Sequence, residues 1–224
     1  MYGFAGWLSG ESDVEDDRRK EHWDRVYREK EPTQTSWYQS DPALSLALIE
    51  RAALDLNARI IDVGGGASVL VDRLLQRGFQ QPSVLDISAQ GLEKARARLP
   101  VNAAVDWIVS SITEFRPTVR YALWHDRALF HFLTDPLDRT RYLAVLREGL
   151  APQGQLIVAA FAPDGPSRCS GLEVVRYDAE KLGRELGAEF QLLEEITETH
   201  ITPSGLEQRF GYFRYIYQPA KGLE

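Results

Sequence analysis

Apolar residues along this chain change their period several times, and each change marks an element. From Asp17 to Lys30 the charged stretch "DRRKEHWDRVYREK" sets Trp23, Val26 and Tyr27 three and four apart, the spacing of a surface helix with one apolar edge, outside any sheet. In "SDPALSLALIERAALDL", Asp41 stands where an N-cap belongs and Pro42 at the first helical position, after which Leu44, Leu48 and Ala52 share a face. Short apolar runs then alternate with amphipathic ones: "RIIDV" (59–63), a helix over 67–77 ended by Gly78, "SVLDI" (83–87), a helix over 89–99, "VDWIVS" (105–110) and "YALWH" (121–125). Asp135 and Pro136 open another helix with Leu143, Leu146 and Leu150 along one side, and "QLIVAAF" (155–161) is a fifth strand. A short helix over 178–186 precedes two alternating runs, 190–202 and 207–218, joined through "PSG" as an antiparallel hairpin.

Strands alternating with helices predict an α/β domain with a doubly wound, mostly parallel seven-stranded sheet that closes on a C-terminal antiparallel hairpin, over residues 17–218. Trp107 and Trp124 lie in strands and are expected in the core. Residues 1–16 carry no clear period and read as a mobile extension in which Phe4, Trp7 and Leu8 are the residues able to dock; 219–224 read as a tail.

Composition narrows the partners. With 224 residues, 44% of them hydrophobic, the chain suits one domain and one site. A net charge of −7 from 26 basic and 33 acidic residues argues against nucleic acid, since neutralising phosphates takes clustered Lys and Arg. A single cysteine, Cys169, excludes an internal disulfide, and neither CxxC nor a His/Cys cluster offers zinc-ligand spacing, so no metal is expected. The opening "MYGFAGWLSG" has no basic n-region or long apolar run, and no later run reaches the roughly 20 residues of a membrane span, so the expected location is the cytoplasm, away from membranes.

Chemistry starts at "RIIDVGGGASVLVDRLLQRG". In an open α/β sheet a ligand sits beyond the carboxyl ends of the strands, and Gly64, Gly65 and Gly66 let backbone turn tightly and approach it. Asp86, 22 residues beyond Gly64 and at the end of the next strand, is placed to accept two ribose hydroxyls, so the ligand contains a nucleoside. A dinucleotide loop would read GxGxxG, but Val69 stands at its third glycine, and Asp62 beside the loop suits a cationic ligand better than pyrophosphate. S-adenosylmethionine fits these residues better than NAD. A nicotinamide oxidoreductase and a non-catalytic nucleoside-binding domain remain the rivals.

These segments resemble the class I S-adenosylmethionine-dependent methyltransferase superfamily over residues 17–218: "IIDVGGGAS" is similar to its first motif, "VLDIS" with Asp86 and Ile87 to the second, and "IVSSITEF" with Ser111 and Ile112 to the third, which contacts adenine. Ser111 stands where many relatives carry Asp, a contact without charge. "TSWYQ" resembles an N-terminal segment that folds over the cofactor, which implies Trp37 and Tyr38 against the methionine portion; as core anchors they fit equally well, and the helix and aromatic segment over 17–40 are expected to close over the cofactor and order on binding. "DRAL" followed by "DRTRY" resembles the thiopurine methyltransferases, and more weakly the citrate synthase and elongation-factor lysine methyltransferases. The acceptor this implies is a small S- or N-nucleophile, with a protein lysine as the alternative.

Methyl transfer from a sulfonium needs alignment more than a base. Where the acceptor must lose a proton, His125 and Asp126 at the end of the fourth strand are the catalytic candidates, and His125 also faces the cofactor; Asp126 paired with Arg127 is the structural alternative. His131 and Phe161 are candidate acceptor contacts, His131 otherwise being a core histidine. The loop "FAPDGPSRCSGLEVVRYD" offers Arg168 and Arg176 to an acceptor, and Cys169 fits a small buried residue better than a nucleophile.

Overall fold

The computed structural model describes residues 8–220, with side chains from residue 15 onward. Helix α1 spans Leu8–Glu29 and α2 Ala43–Arg51, before any strand. The α/β alternation follows: β1 Arg59–Val63, α3 Leu70–Gln76, β2 Gln81–Asp86, α4 Ala89–Arg96, β3 Asp106–Val109, β4 Tyr121–Arg127, α5 Pro136–Gly149 and β5 Leu150–Phe161. A two-residue ladder, β6 Arg168–Cys169 with β7 Leu172–Glu173, precedes α6 Ala179–Leu186, β8 Phe190–Ile201 and β9 Glu207–Tyr217. The seven-stranded sheet runs β3-β2-β1-β4-β5-β9-β8; its first five strands are parallel, and β9 and β8 complete it antiparallel.

Successive side chains of a strand point to opposite faces, so apolar runs in β1, β4 and β5 fill two cores at once. Ile61, Trp124 and Val158 join α5 and α6 on one face, while Ile60, Leu123 and Ile157 join α2 and α3 on the other. The Trp124 indole is fully buried and donates to Tyr142 Oη at 3.1 Å. Trp107, on edge strand β3, is only half-buried and packs on Val71, Val84 and Leu92.

Several boundaries move from the sequence expectation, each for a local reason. α1 starts at Leu8 instead of Asp17, so the expected limit between extension and domain falls inside a helix, while Phe4 and Trp7 lie outside the described residues. Asp41 caps nothing: Pro42 takes the N-cap place, and the Asp41 carboxylate lies 3.9 Å from Arg73. The turn at Ser68, whose Oγ accepts from Leu70 N–H, delays α3 to Leu70. β5 already begins at Leu150, with Gln153 at φ 64° and a register irregularity opposite Tyr121 absorbing "APQG". Asp135 does cap α5, accepting from Leu137 N–H at 2.8 Å. The unforeseen β6–β7 ladder turns on Ser170 and Gly171, both at positive φ, the two-residue hairpin geometry that "SG" favours.

Candidate active site

The strand order reverses between β1 and β4, and the site lies at the carboxyl ends of β1, β2 and β4. The loop after β1 is tied to β2 by Gly64 N–H donating to Leu85 O at 2.7 Å. Gly64 has φ +71°, and a Cβ there would lie 2.6 Å from Leu129; Gly66 has φ +44°, and a Cβ would lie 2.0 Å from Tyr27 Oη. Two of the three glycines are thus demanded both by backbone conformation and by a side chain seated against them.

A cleft of about 880 Å³, part of it open to solvent, runs from the end of β2 to the turn after β4. Gly64, Asp86, Ile87, Ser111 and Ile112 line it. The Asp86 carboxyl is buried; it accepts from Ser88 N–H at 2.8 Å and from the Gly66 N–H. Burial pushes its pKa up to about 7, and Asp62 and Asp24 add to the effect. A second recess of about 550 Å³ shares Tyr27, Trp37, Gly64 and Arg127 with the cleft and adds Tyr38, Asp62, Gly65 and His125. Gly66, covered by Tyr27, borders neither space.

The helix and aromatic segment before the sheet, expected to close over the cofactor, lie over this cleft. Arg19, Trp23 and Tyr27 of α1 line it, the apolar edge read as a surface stripe being turned inward. Their helix is fastened at three points: Ser88 Oγ donates to Asp24 at 2.6 Å, Thr113 Oγ1 donates to Asp16 at 3.0 Å, and Arg19 pairs with Asp138. The strap at residues 35–39 is pinned to β4 and β8: Arg127 Nη1 donates to Trp37 O at 2.9 Å, His200 Nε2 donates to Ser36 O at 2.8 Å, and Gln39 reaches Glu198 at 3.3 Å. The Trp23 ring meets Trp37 and Phe132 edge-on, with centroids 5.6 and 5.1 Å away.

The proton-handling candidates take other roles. His125 is buried with both ring nitrogens engaged, Nδ1 with Asp62 at 2.7 Å and Nε2 with Ser45 at 2.9 Å. Because a carboxylate only accepts, Nδ1 carries the hydrogen toward Asp62, and Nε2 is engaged by the Ser45 hydroxyl instead of standing open to an acceptor. Asp126 does not pair with Arg127. Fully buried, it accepts from Leu129 and Phe130 N–H at 3.2 and 3.1 Å and from Tyr142 Oη at 2.9 Å, fixing the turn after β4, and burial pushes its pKa up to about 6. That turn carries Ala128 at φ 64°, a left-handed backbone an alanine adopts at a cost of ~1 kcal/mol or more.

The expected acceptor contacts also lie away from the cleft. His131 and Phe161 are fully buried, their ring centroids 4.8 Å apart, and burial with nearby Arg127 pushes the histidine down to about 3, a neutral core residue. Arg168 and Arg176 are exposed, donating to Gly171 O at 2.8 Å and Gly165 O at 3.4 Å. From that loop Cys169 and Leu172 reach the cleft instead; burial pushes the thiol up to about 11, which keeps it protonated and unreactive.

No family model and no curated protein matches the chain. Solved structures do. That of the protein converting a disulfide bond into a thioacetal group during echinomycin biosynthesis aligns over 91% of this chain and 93% of its own, with TM-score 0.73 and 15% identity. An S-adenosylmethionine-dependent methyltransferase from Anabaena variabilis aligns over 91% and 95%, with TM-score 0.70 and 15% identity. The chain has the fold of the S-adenosylmethionine-dependent methyltransferases. A further neighbour, the 1,6-didemethyltoxoflavin-N1-methyltransferase of Burkholderia thailandensis with bound 1,6-didemethyltoxoflavin and S-adenosylhomocysteine, covers 98% of this chain and 93% of its own at TM-score 0.66 and 15% identity. Among the described residues, no helix is long and apolar enough to cross a membrane.

Proposed function

We propose that this chain is an S-adenosylmethionine-dependent methyltransferase for a small acceptor. The observation that carries the reading is Asp86: a buried carboxyl with no cationic partner among the described residues, bordering a cleft beside a glycine loop. Two ribose hydroxyls are the donors it lacks. Ile87 and Ile112 supply apolar walls for the adenine and Ser111 a hydroxyl; Asp62, in the recess next to Trp37 and Tyr38, faces the end of the cofactor that carries the ammonium and sulfonium. A dinucleotide fits less well, because the Asp62 carboxylate lies 2.7 Å from where a Gly65 Cβ would be, beside the loop that would have to hold pyrophosphate.

When bound, S-adenosylmethionine supplies a methyl group that passes in line to an acceptor lone pair, the electrons of the broken C–S bond staying on sulfur. The chain's own contribution is positional. His125 and Ser45 hold the Asp62 carboxylate, Asp126 and Tyr142 fix the turn bearing Leu129, and Trp23, Trp37 and Phe132 exclude water from the side where the acceptor enters. Lining side chains are arginines, a protonated thiol, the hydroxyls of Tyr27, Ser110 and Ser111 and apolar groups, with Asp86 given to ribose; none of these is a ready base at neutral pH, so the acceptor brings its own free lone pair. The cover formed by α1 and the strap favours a small molecule over a lysine on a protein surface. Tritium-methyl transfer into cell extract, separated into macromolecular and small-molecule pools, tests this: label is expected in the small pool, and label confined to one protein band would refute it.

A further inference from the structure

Granting the methyltransferase reading, we infer that the acceptor is a planar, largely apolar anion, and that Arg127 is the residue that selects it. Two arginines border the cleft. Arg19 is neutralised by Glu15, Asp16 and Asp138. Arg127 has no carboxylate within ion-pair distance among the described residues: Nε donates to Tyr212 Oη at 2.8 Å, Nη1 to Trp37 O at 2.9 Å, and the plane lies over Phe210, 4.6 Å from its centroid. Among the described residues, Nη2 is buried without a partner. Its nearest linked acid, Glu198, is reached only through the Tyr212 hydroxyl, at 3.0 Å.

A cation held among aromatic rings with an unsatisfied N–H is costly unless an anion joins it. Arg127 borders both spaces, so such an anion belongs to whatever the cleft binds. The remaining walls at that end, Trp23, Trp37, Phe132, Leu129 and Leu172, offer flat and apolar contact with little hydrogen bonding. Ring stacking and one charge contact are therefore what this chamber recognises, and an anionic acceptor also explains why no base is needed: its nucleophilic lone pair is already free or is activated by ionisation.

The test uses the full chain saturated with S-adenosylhomocysteine and two isosteric probes, 1-naphthoate and 1-naphthamide, followed by tryptophan fluorescence and calorimetry at pH 7.5. The carboxylate is expected to bind about tenfold or more tightly than the amide, and Arg127→Gln to bring the ratio near one. Tyr212→Phe, which breaks the Nε contact and keeps the charge, should retain the preference, separating charge from support of the strap. Equal binding of both probes, binding of neither, or a preference that survives Arg127→Gln would overturn the inference. So would Arg127→Gln weakening S-adenosylhomocysteine while sparing 5′-methylthioadenosine, which lacks the amino-acid part; Arg127 would then hold the cofactor's carboxylate. Failure of S-adenosylhomocysteine to bind the parent protein at all would instead overturn the methyltransferase reading on which this rests.

Discussion

Replacing Asp86 by Asn should stabilise the free protein while weakening its cofactor, and the two effects share one cause. Burial and the neighbouring Asp62 and Asp24 raise the Asp86 carboxyl from 3.8 to about 7. A raised carboxyl binds its proton more tightly folded than unfolded, so its contribution is harmless below pH ~4 and becomes a growing cost as pH rises toward 7. Three pKa units correspond to a ceiling of about 4 kcal/mol at pH 8. The Ser88 and Gly66 N–H bonds are already contained in that net rise, but Asn keeps one acceptor oxygen and brings a buried amide NH2 that needs a partner, which returns roughly 1–2 kcal/mol. The net gain for Asp86→Asn is then about 2 kcal/mol at pH 8, a rise in melting temperature of roughly 4–8 °C for a chain of this size, vanishing near pH 4.5. S-adenosylhomocysteine should bind the variant ~10–100-fold more weakly at pH 8, because a neutral amide replaces the carboxylate that accepts the ribose hydroxyls. In the parent, affinity should fall about tenfold per pH unit below 7, since binding must then expel the Asp86 proton. Thermal scans and calorimetry at pH 4.5, 6 and 8 read all three. A variant no more stable than the parent at pH 8, or cofactor affinity flat from pH 8 to 6, would refute the reasoning.

Other consequences follow from single contacts. Gly66→Ala sets a methyl where Tyr27 Oη lies and strains φ +44°, so it should cost ~2 kcal/mol or more and raise hydrogen exchange along α1 relative to the parent. His131→Leu removes two unpartnered ring nitrogens from an aromatic core and should raise stability by roughly 1 kcal/mol with unchanged cofactor affinity, measured by urea unfolding and calorimetry. Tyr142→Phe leaves Asp126 Oδ2 without its donor and should destabilise by about 1–3 kcal/mol in urea unfolding; a variant as stable as the parent would contradict this.

The parallel sheet and its closing hairpin were legible because period, glycine spacing and Asp135 act locally, within one strand–loop–helix unit. Asp86 and the glycine loop could be read for the same reason. What could not be read depends on contacts far apart in sequence. Trp23 and Tyr27 read as one edge of a surface helix expected to close over the cofactor, but no local signal says that Tyr27 seats on Gly66, some 40 positions on. His125 and Asp126 have the right chemistry at the right strand end, but Ser45, Asp62 and Tyr142, which occupy their polar atoms, come from three other elements. Arg127 was paired with its sequence neighbour by proximity; successive residues of a strand face opposite sides, so Asp126 turns to Tyr142 and Arg127 to Tyr212.

The most direct test of the account is calorimetric titration of the purified chain with S-adenosylmethionine, S-adenosylhomocysteine and NADH. Both sulfur nucleosides should bind at one site per chain with micromolar or better affinity, and NADH should give no saturable heat. Saturable binding of NADH with none of either nucleoside would contradict it.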